Sequence, residues 1–285
     1  MAKNDAAAAA DLNESKDLTN PKNTQLSTAV DFGDDAGAGF EGTTSESFAI
    51  PFLGILQKIS PQCDEADPKF IEGAKGGMLF NSVTSKLYDG KTGVLFIPSA
   101  YQRRFIHWGA RGTPNSGFKG EFMPEVAVQM RDDGKVIELD GKLYFPLADG
   151  TINEKVCDRL VDTRNHFGIL IDPESGNFSQ VLISLASTNI KKSKQFMQCL
   201  AEVKVKSAKG TTTPPSFYNK ARIVTTAESN DKGNWSGIKF TLEGFVEQQE
   251  LYDAAKAFYK AVISGTAGAV VYQEPDEAAG ETGSF

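Results

Sequence analysis

From residue 48 to residue 263 the apolar positions mostly come in short runs or alternate with polar ones, and only two stretches repeat with the helical period. Residues 94–97 are a short apolar run after a turn, which suits a buried strand. Beyond Pro98, residues 101–108 continue as a second strand, with Arg104, Ile106 and Trp108 pointing one way and Arg103, Phe105 and His107 the other. Turn signals at 132–134, 140–141 and 149–150 recur closely enough to predict a β meander with a short strand at 143–147. Residues 160–171 and 178–187 read as a hairpin around the 172–176 turn, and 217–226 with 236–246 as a second around 229–234. At the head of the chain's body, Phe52, Leu53, Ile55 and Leu56 fit either a short helix or a buried strand.

The helical stretches follow the two hairpins. After residue 187 a helix capped by Ser187, Thr188 or Asn189 turns Ile190, Met197 and Leu200 to the core. Residues 247–263 form an amphipathic helix with Leu251, Ala255, Phe258 and Val262 on one stripe. Many short strands with few helices predict a mainly β chain, an antiparallel barrel or sandwich and not a parallel sheet with crossover helices. Nineteen phenylalanines agree with a packed β core.

Composition divides the chain into three parts: a disordered segment at 1–46, a folded body at 47–262 and an acidic tail at 263–285. The formal charge of −7 is uneven. Residues 1–46 hold three lysines against nine acids, and 263–285 hold four acids and no base, which leaves the body at +3. A mildly basic body between acidic ends suits an anionic ligand for which the ends can compete. Cys63, Cys157 and Cys199 lack paired spacing, and with two histidines they match no zinc or disulfide framework, so no metal or cofactor is expected. No apolar run is long enough to predict a membrane span.

The candidate chemistry is noncovalent. Residues 94–111, VLFIPSAYQRRFIHWGAR, combine Tyr101, Phe105 and Trp108 with Arg103, Arg104 and Arg111. Guanidinium groups follow phosphates, and rings stack on unpaired bases. Lys191, Lys192 and Lys194 sit in the first turns of the predicted helix, against its dipole, where an anion would offset the mismatch. Lys220, Arg222, Trp235 and Lys239 repeat the base-plus-ring pattern in the second hairpin. At the end of the chain, Glu274, Asp276, Glu277 and Glu281 lead to a terminal Phe285, a ready ligand for a basic pocket with an apolar floor.

These segments resemble the phage-encoded single-stranded DNA-binding proteins. The likeness is carried by AIPFLGILQKISPQ with EGAKGGMLFNSVTSKLYDG, by YQRRFIHWGAR, LVDTRNHFGILI and LISLASTNIKKSK, and by the acidic terminus closing on Phe285. It covers residues 48–205 and the tail. The resemblance implies an OB-fold-like core that coats unpaired DNA without sequence preference during phage replication and recombination, in the cytoplasm of the infected bacterial host. It also implies a tail that recruits replication proteins such as a polymerase or helicase-primase, and it leaves a homodimer possible. The closing GETGSF carries less acid beside the phenylalanine than the family often shows.

The sequence is also compatible with two other classes of function. A virion structural or assembly protein would also tolerate a Gly- and Ala-rich N-terminus and a β body. A nuclease would need carboxylates around a metal, and Asp158 and Asp162 with Lys155 are close only in sequence.

Overall fold

A computed structural model describes residues 33–35, 37–43, 47–207, 210–231 and 233–267. They belong to two units divided between Glu41 and Gly42. In the first, Gly33–Asp35 forms a 3-10 turn. The second holds β1 (Leu53–Ile55), β2 (Leu79–Asn81), β3 (Leu87–Tyr88), β4 (Val94–Gly109), β5 (Gly117–Phe122), α1 (Pro124–Asp132), β6 (Ile137–Leu139), β7 (Lys142–Tyr144), β8 (Arg159–Ile171) and β9 (Phe178–Ala186). It continues with α2 (Ile190–Glu202), β10 (Val205–Ser207), β11 (Gly210–Thr212), β12 (Asn219–Asn230), β13 (Gly233–Phe245) and α3 (Gln249–Ser264).

The long strands β4 and β8 pair antiparallel over most of their length and form the spine of the second unit's main sheet. Two sets of strands share this pair. One runs β13–β12–β4–β8–β9, and the other adds β5 beside β4 and β7–β6 beside β8. The first set curls into a half-barrel. The two strands expected on either side of Pro98 are one strand, because the register shifts between Pro98 and Ala100 and the bulge absorbs the proline, which has no N–H to give the ladder. Opposite Pro98 lies Gly168. A Cβ there would stand 2.4 Å from both the Ile97 carbonyl oxygen and the Phe96 ring.

Each helix covers one apolar patch of this sheet. α2 places Phe196 and Leu200 on Phe96, Leu170, Ile183 and Ile223. α3 places Leu251, Ala255, Phe258 and Val262, the four residues of the sequence stripe, on Ile97, Phe167, Ile169 and Leu182. α1 lays Ala127 over Phe105 and Leu160. Gly265, at φ 73, ends α3 in the left-handed conformation that glycine adopts freely, so the helix expected over 247–263 runs Gln249–Ser264.

The mainly β, antiparallel class and both hairpins are as expected, and three elements differ. α1 occupies Pro124–Asp132, where no helix was expected. Residues 117–122 form β5 against β4, a strand that was not expected. α2 follows a 3-10 turn at Ser187–Asn189, and Asn189 makes no side-chain cap.

A small sheet, β1–β2–β3, spans the open side of the half-barrel. At one end the Leu182 N–H of β9 donates to the Pro51 carbonyl (2.9 Å). At the other, Gln57 donates through Nε2 to the Ser236 carbonyl of β13 (3.0 Å) and accepts the Ser236 N–H at Oε1 (2.9 Å). Residues 51–57 thus strap one edge strand to the other.

Candidate nucleic-acid interface

The register of β4 on β8 sorts the opening candidates onto two faces, because directly opposed residues share a face. Tyr101, Arg103 and Phe105 lie with His166, Arg164 and Asp162, whereas Arg104, Ile106 and Trp108 lie with Thr163, Val161 and Arg159. On the first face the arginines are engaged internally. Arg103 donates from Nε and Nη2 to Asp162 (3.0 and 2.8 Å) and stands 5.0 Å over the Phe105 ring. Arg164 donates from Nη2 to the same carboxylate (2.9 Å) and from Nη1 to the Tyr101 hydroxyl (3.1 Å). The hydrogen bonds to Asp162 raise the Arg103 pKa. Phe105 is 7% exposed under α1, so its ring presents no face for stacking in this arrangement.

The remaining candidates fall in three further places. Lys220, Arg222, Trp235 and Lys239 share the face of β12 and β13 opposite to Ile223 and Ile238, which point into the core. There Arg222 holds Glu243 through two hydrogen bonds of 2.6 and 3.0 Å. Lys191 and Lys194 are exposed on α2, while Lys192 pairs with Glu228 at 2.9 Å. Arg111 lies in the exposed turn between β4 and β5. The tail candidates Glu274, Asp276, Glu277, Glu281 and Phe285 lie outside the described residues.

The second face of β4 opens onto a cleft of about 780 Å³. One wall is the strap and the loop that follows it, through Leu53, Gln57, Lys69 and Phe70; the other is the half-barrel, through Ile106, Trp108, Thr163, Ser184 and Ser236. Trp108 is 3% exposed, so it forms floor, with Phe118 edge-on at 6.0 Å. Phe70 is 37% exposed and is the open ring of the cleft. Arg104 shares this strand face beside Thr163, with Nη1 donating to the Arg103 carbonyl (3.0 Å) and Nε 3.8 Å from Glu121, and is not part of the cleft lining. Asn189, which precedes α2, lines the cleft as well. Among the described residues no Asp or Glu lines the cleft.

The backbone also faces this space. The N–H and C=O of one residue in an antiparallel strand point the same way, and the direction alternates along the strand. The Leu182 N–H points outward from β8 to Pro51, so Ser184 and Ala186 turn their backbone groups outward too, along the cleft. Lys69 and Phe70 escaped sequence reasoning because they sit in an aperiodic loop. The adjacent base and ring were their only signal.

The carboxylates considered for metal chemistry are tied elsewhere. Asp158 accepts from Lys119 (2.6 Å), His107 (2.8 Å) and the Ala110 N–H (3.2 Å). Burial alone would raise its pKa, but the hydrogen bonds from Lys119 and His107 outweigh that and hold it below the ordinary range. Among the described residues no three His, Cys, Asp or Glu side chains gather as a metal site, and Cys63, Cys157 and Cys199 are free thiols. No described helix is long and apolar enough to cross a membrane.

Comparison with known proteins yields one match. The model of a family described as Pam3 phage gp34-like protein matches residues 20–268, most of the chain. No curated protein and no solved structure matches.

Proposed function

We propose that this chain, which belongs to the Pam3 phage gp34-like protein family, binds single-stranded nucleic acid in the cleft between the strap and the half-barrel. The observation that carries the reading is the cleft's composition: rings in its floor and at its mouth, hydroxyl and amide side chains between them, and among the described residues no carboxylate. Bases are neutral and flat, and sequence-tolerant binding needs stacking surfaces next to cations that follow phosphates. Phe70 stacks. Lys69 meets the backbone, and on this reading the half-barrel with its strap serves as an OB-like barrel.

The role that follows is coating and protecting unpaired phage DNA during replication and recombination, in the host cytoplasm, with no covalent step. Recruitment of replication proteins through the tail around Phe285 belongs to the same proposal. The test is a fluorescence titration with an unpaired oligonucleotide and with duplex. Tight single-strand binding that weakens with salt, as counterion release requires, supports it. Tight duplex binding, or no binding together with presence in purified particles, replaces it with an assembly role.

A further inference from the structure

Residues 58–76 leave β1 and return to β2 as an arm braced on itself and pinned at its root. Inside the arm, the Ile71 N–H donates to the Gln62 carbonyl (3.1 Å), the Ala66 N–H to Asp64 Oδ1 (3.0 Å) and the Lys69 N–H to Asp67 Oδ1 (2.8 Å). At the root, the Gln57 N–H donates to the buried Ser60 hydroxyl (2.8 Å) while the Gln57 side-chain amide closes both hydrogen bonds with the Ser236 backbone. On the return, the Gly77 N–H donates to the Leu56 carbonyl and the Thr225 hydroxyl to the Gly77 carbonyl, each at 2.7 Å. The side chain of Gln57 therefore replaces a strand pairing between the root of the arm and the edge strand β13. The tip carries Lys69 and Phe70, which line the cleft across from Ile106 and Trp108. Phe70 packs in none of the three apolar cores.

An arm that is hydrogen-bonded to itself and holds an open ring and a cation at a cleft is poorly explained by packing, since neither side chain belongs to a core cluster. We propose that the arm is the second jaw of the cleft, that Lys69 and Phe70 grip a nucleic-acid strand from the side opposite Trp108, and that Gln57 is the positioning residue that sets the jaw. This rests on the single-strand reading above.

A double-mutant cycle read by fluorescence anisotropy with a labelled unpaired 20-mer tests it. The tip variant Lys69→Ala/Phe70→Ala is expected to weaken binding about thirtyfold, from one stacking contact and one phosphate contact, with an unchanged thermal midpoint. Gln57→Ala is expected to weaken binding about fivefold in the wild-type chain and to add nothing in the tip variant, because its effect passes through the tip. If Gln57→Ala does not fold, Gln57→Glu, which keeps the acceptor for the Ser236 N–H, takes its place in the cycle. Wild-type affinity in the tip variant overturns the jaw. A full additional loss from Gln57→Ala in the tip variant overturns the positioning role. Failure of the wild-type chain to bind the 20-mer overturns the underlying single-strand reading instead.

Discussion

His166 should make the fold sensitive to mild acid, and replacing it with asparagine should remove that sensitivity. The imidazole is 1% exposed, with Nε2 2.7 Å from the Ser193 hydroxyl of α2. The rings of Tyr101, Phe196 and Phe240 surround it at 5.2 to 5.8 Å, and the nearby charge is the Arg164 guanidinium. Burial first, and then Arg164, push its pKa from 6.5 down to about 4. The folded protein therefore keeps the ring neutral where the unfolded chain protonates it. Between pH 6.5 and 4 the unfolded state binds the extra proton, so stability falls as pH falls through that window. A shift of about 2.5 units corresponds to about 3 kcal/mol in full, of which about 2 kcal/mol should be lost between pH 7 and pH 5. Asp158 and Asp172 are held below the ordinary carboxylate range, so their losses come at lower pH and leave the window to the histidine. Urea melts at pH 7, 6 and 5 on the wild type and on His166→Asn measure the difference. The variant should be less stable at pH 7 and nearly flat with pH, with His107 common to both chains. Parallel pH dependences would refute the argument.

Two other perturbations test the sheet. Gly168→Ala should cost about 3 kcal/mol or prevent folding, because its Cβ meets backbone and a buried ring at 2.4 Å and neither can retreat; a denaturant melt reads the loss. Asp162→Asn leaves Arg103 and Arg164 directly opposed across β4 and β8 without their shared carboxylate. The cost should be on the order of 1 kcal/mol given the partial exposure of Arg103, and it should shrink in 0.5 M salt, as screened repulsion requires.

Elements with strong local signals were legible in the chain. Both hairpins carry turn residues between apolar alternations, and the stripe Leu251, Ala255, Phe258 and Val262 defines α3. α1 was not legible, because Val126 and Val128 in PEVAVQM alternate with period two while Pro124 starts a helix whose buried residue is Ala127. The site was legible in its residue types and only partly in its geometry. Arg103 reads as a cation, but the acid that engages it is Asp162, brought alongside by pairing of distant strands. The contact between Gln57 and Ser236 spans 179 residues, so nothing local announces the strap or the cleft behind it. A base-and-ring pattern identifies side chains suited to nucleic acid; the fold decides which of them share one opening.

Matched charge reversals test the central claim most directly. Lys69 lines the cleft, whereas Lys239 lies on the opposite face of the β12–β13 pair from the cleft-lining Ile238. With an unpaired oligonucleotide at fixed salt, Lys69→Glu should weaken binding about tenfold or more, while Lys239→Glu should stay within about twofold of wild type. A large loss from Lys239→Glu with none from Lys69→Glu would place the strand on the outer sheet face and contradict the cleft.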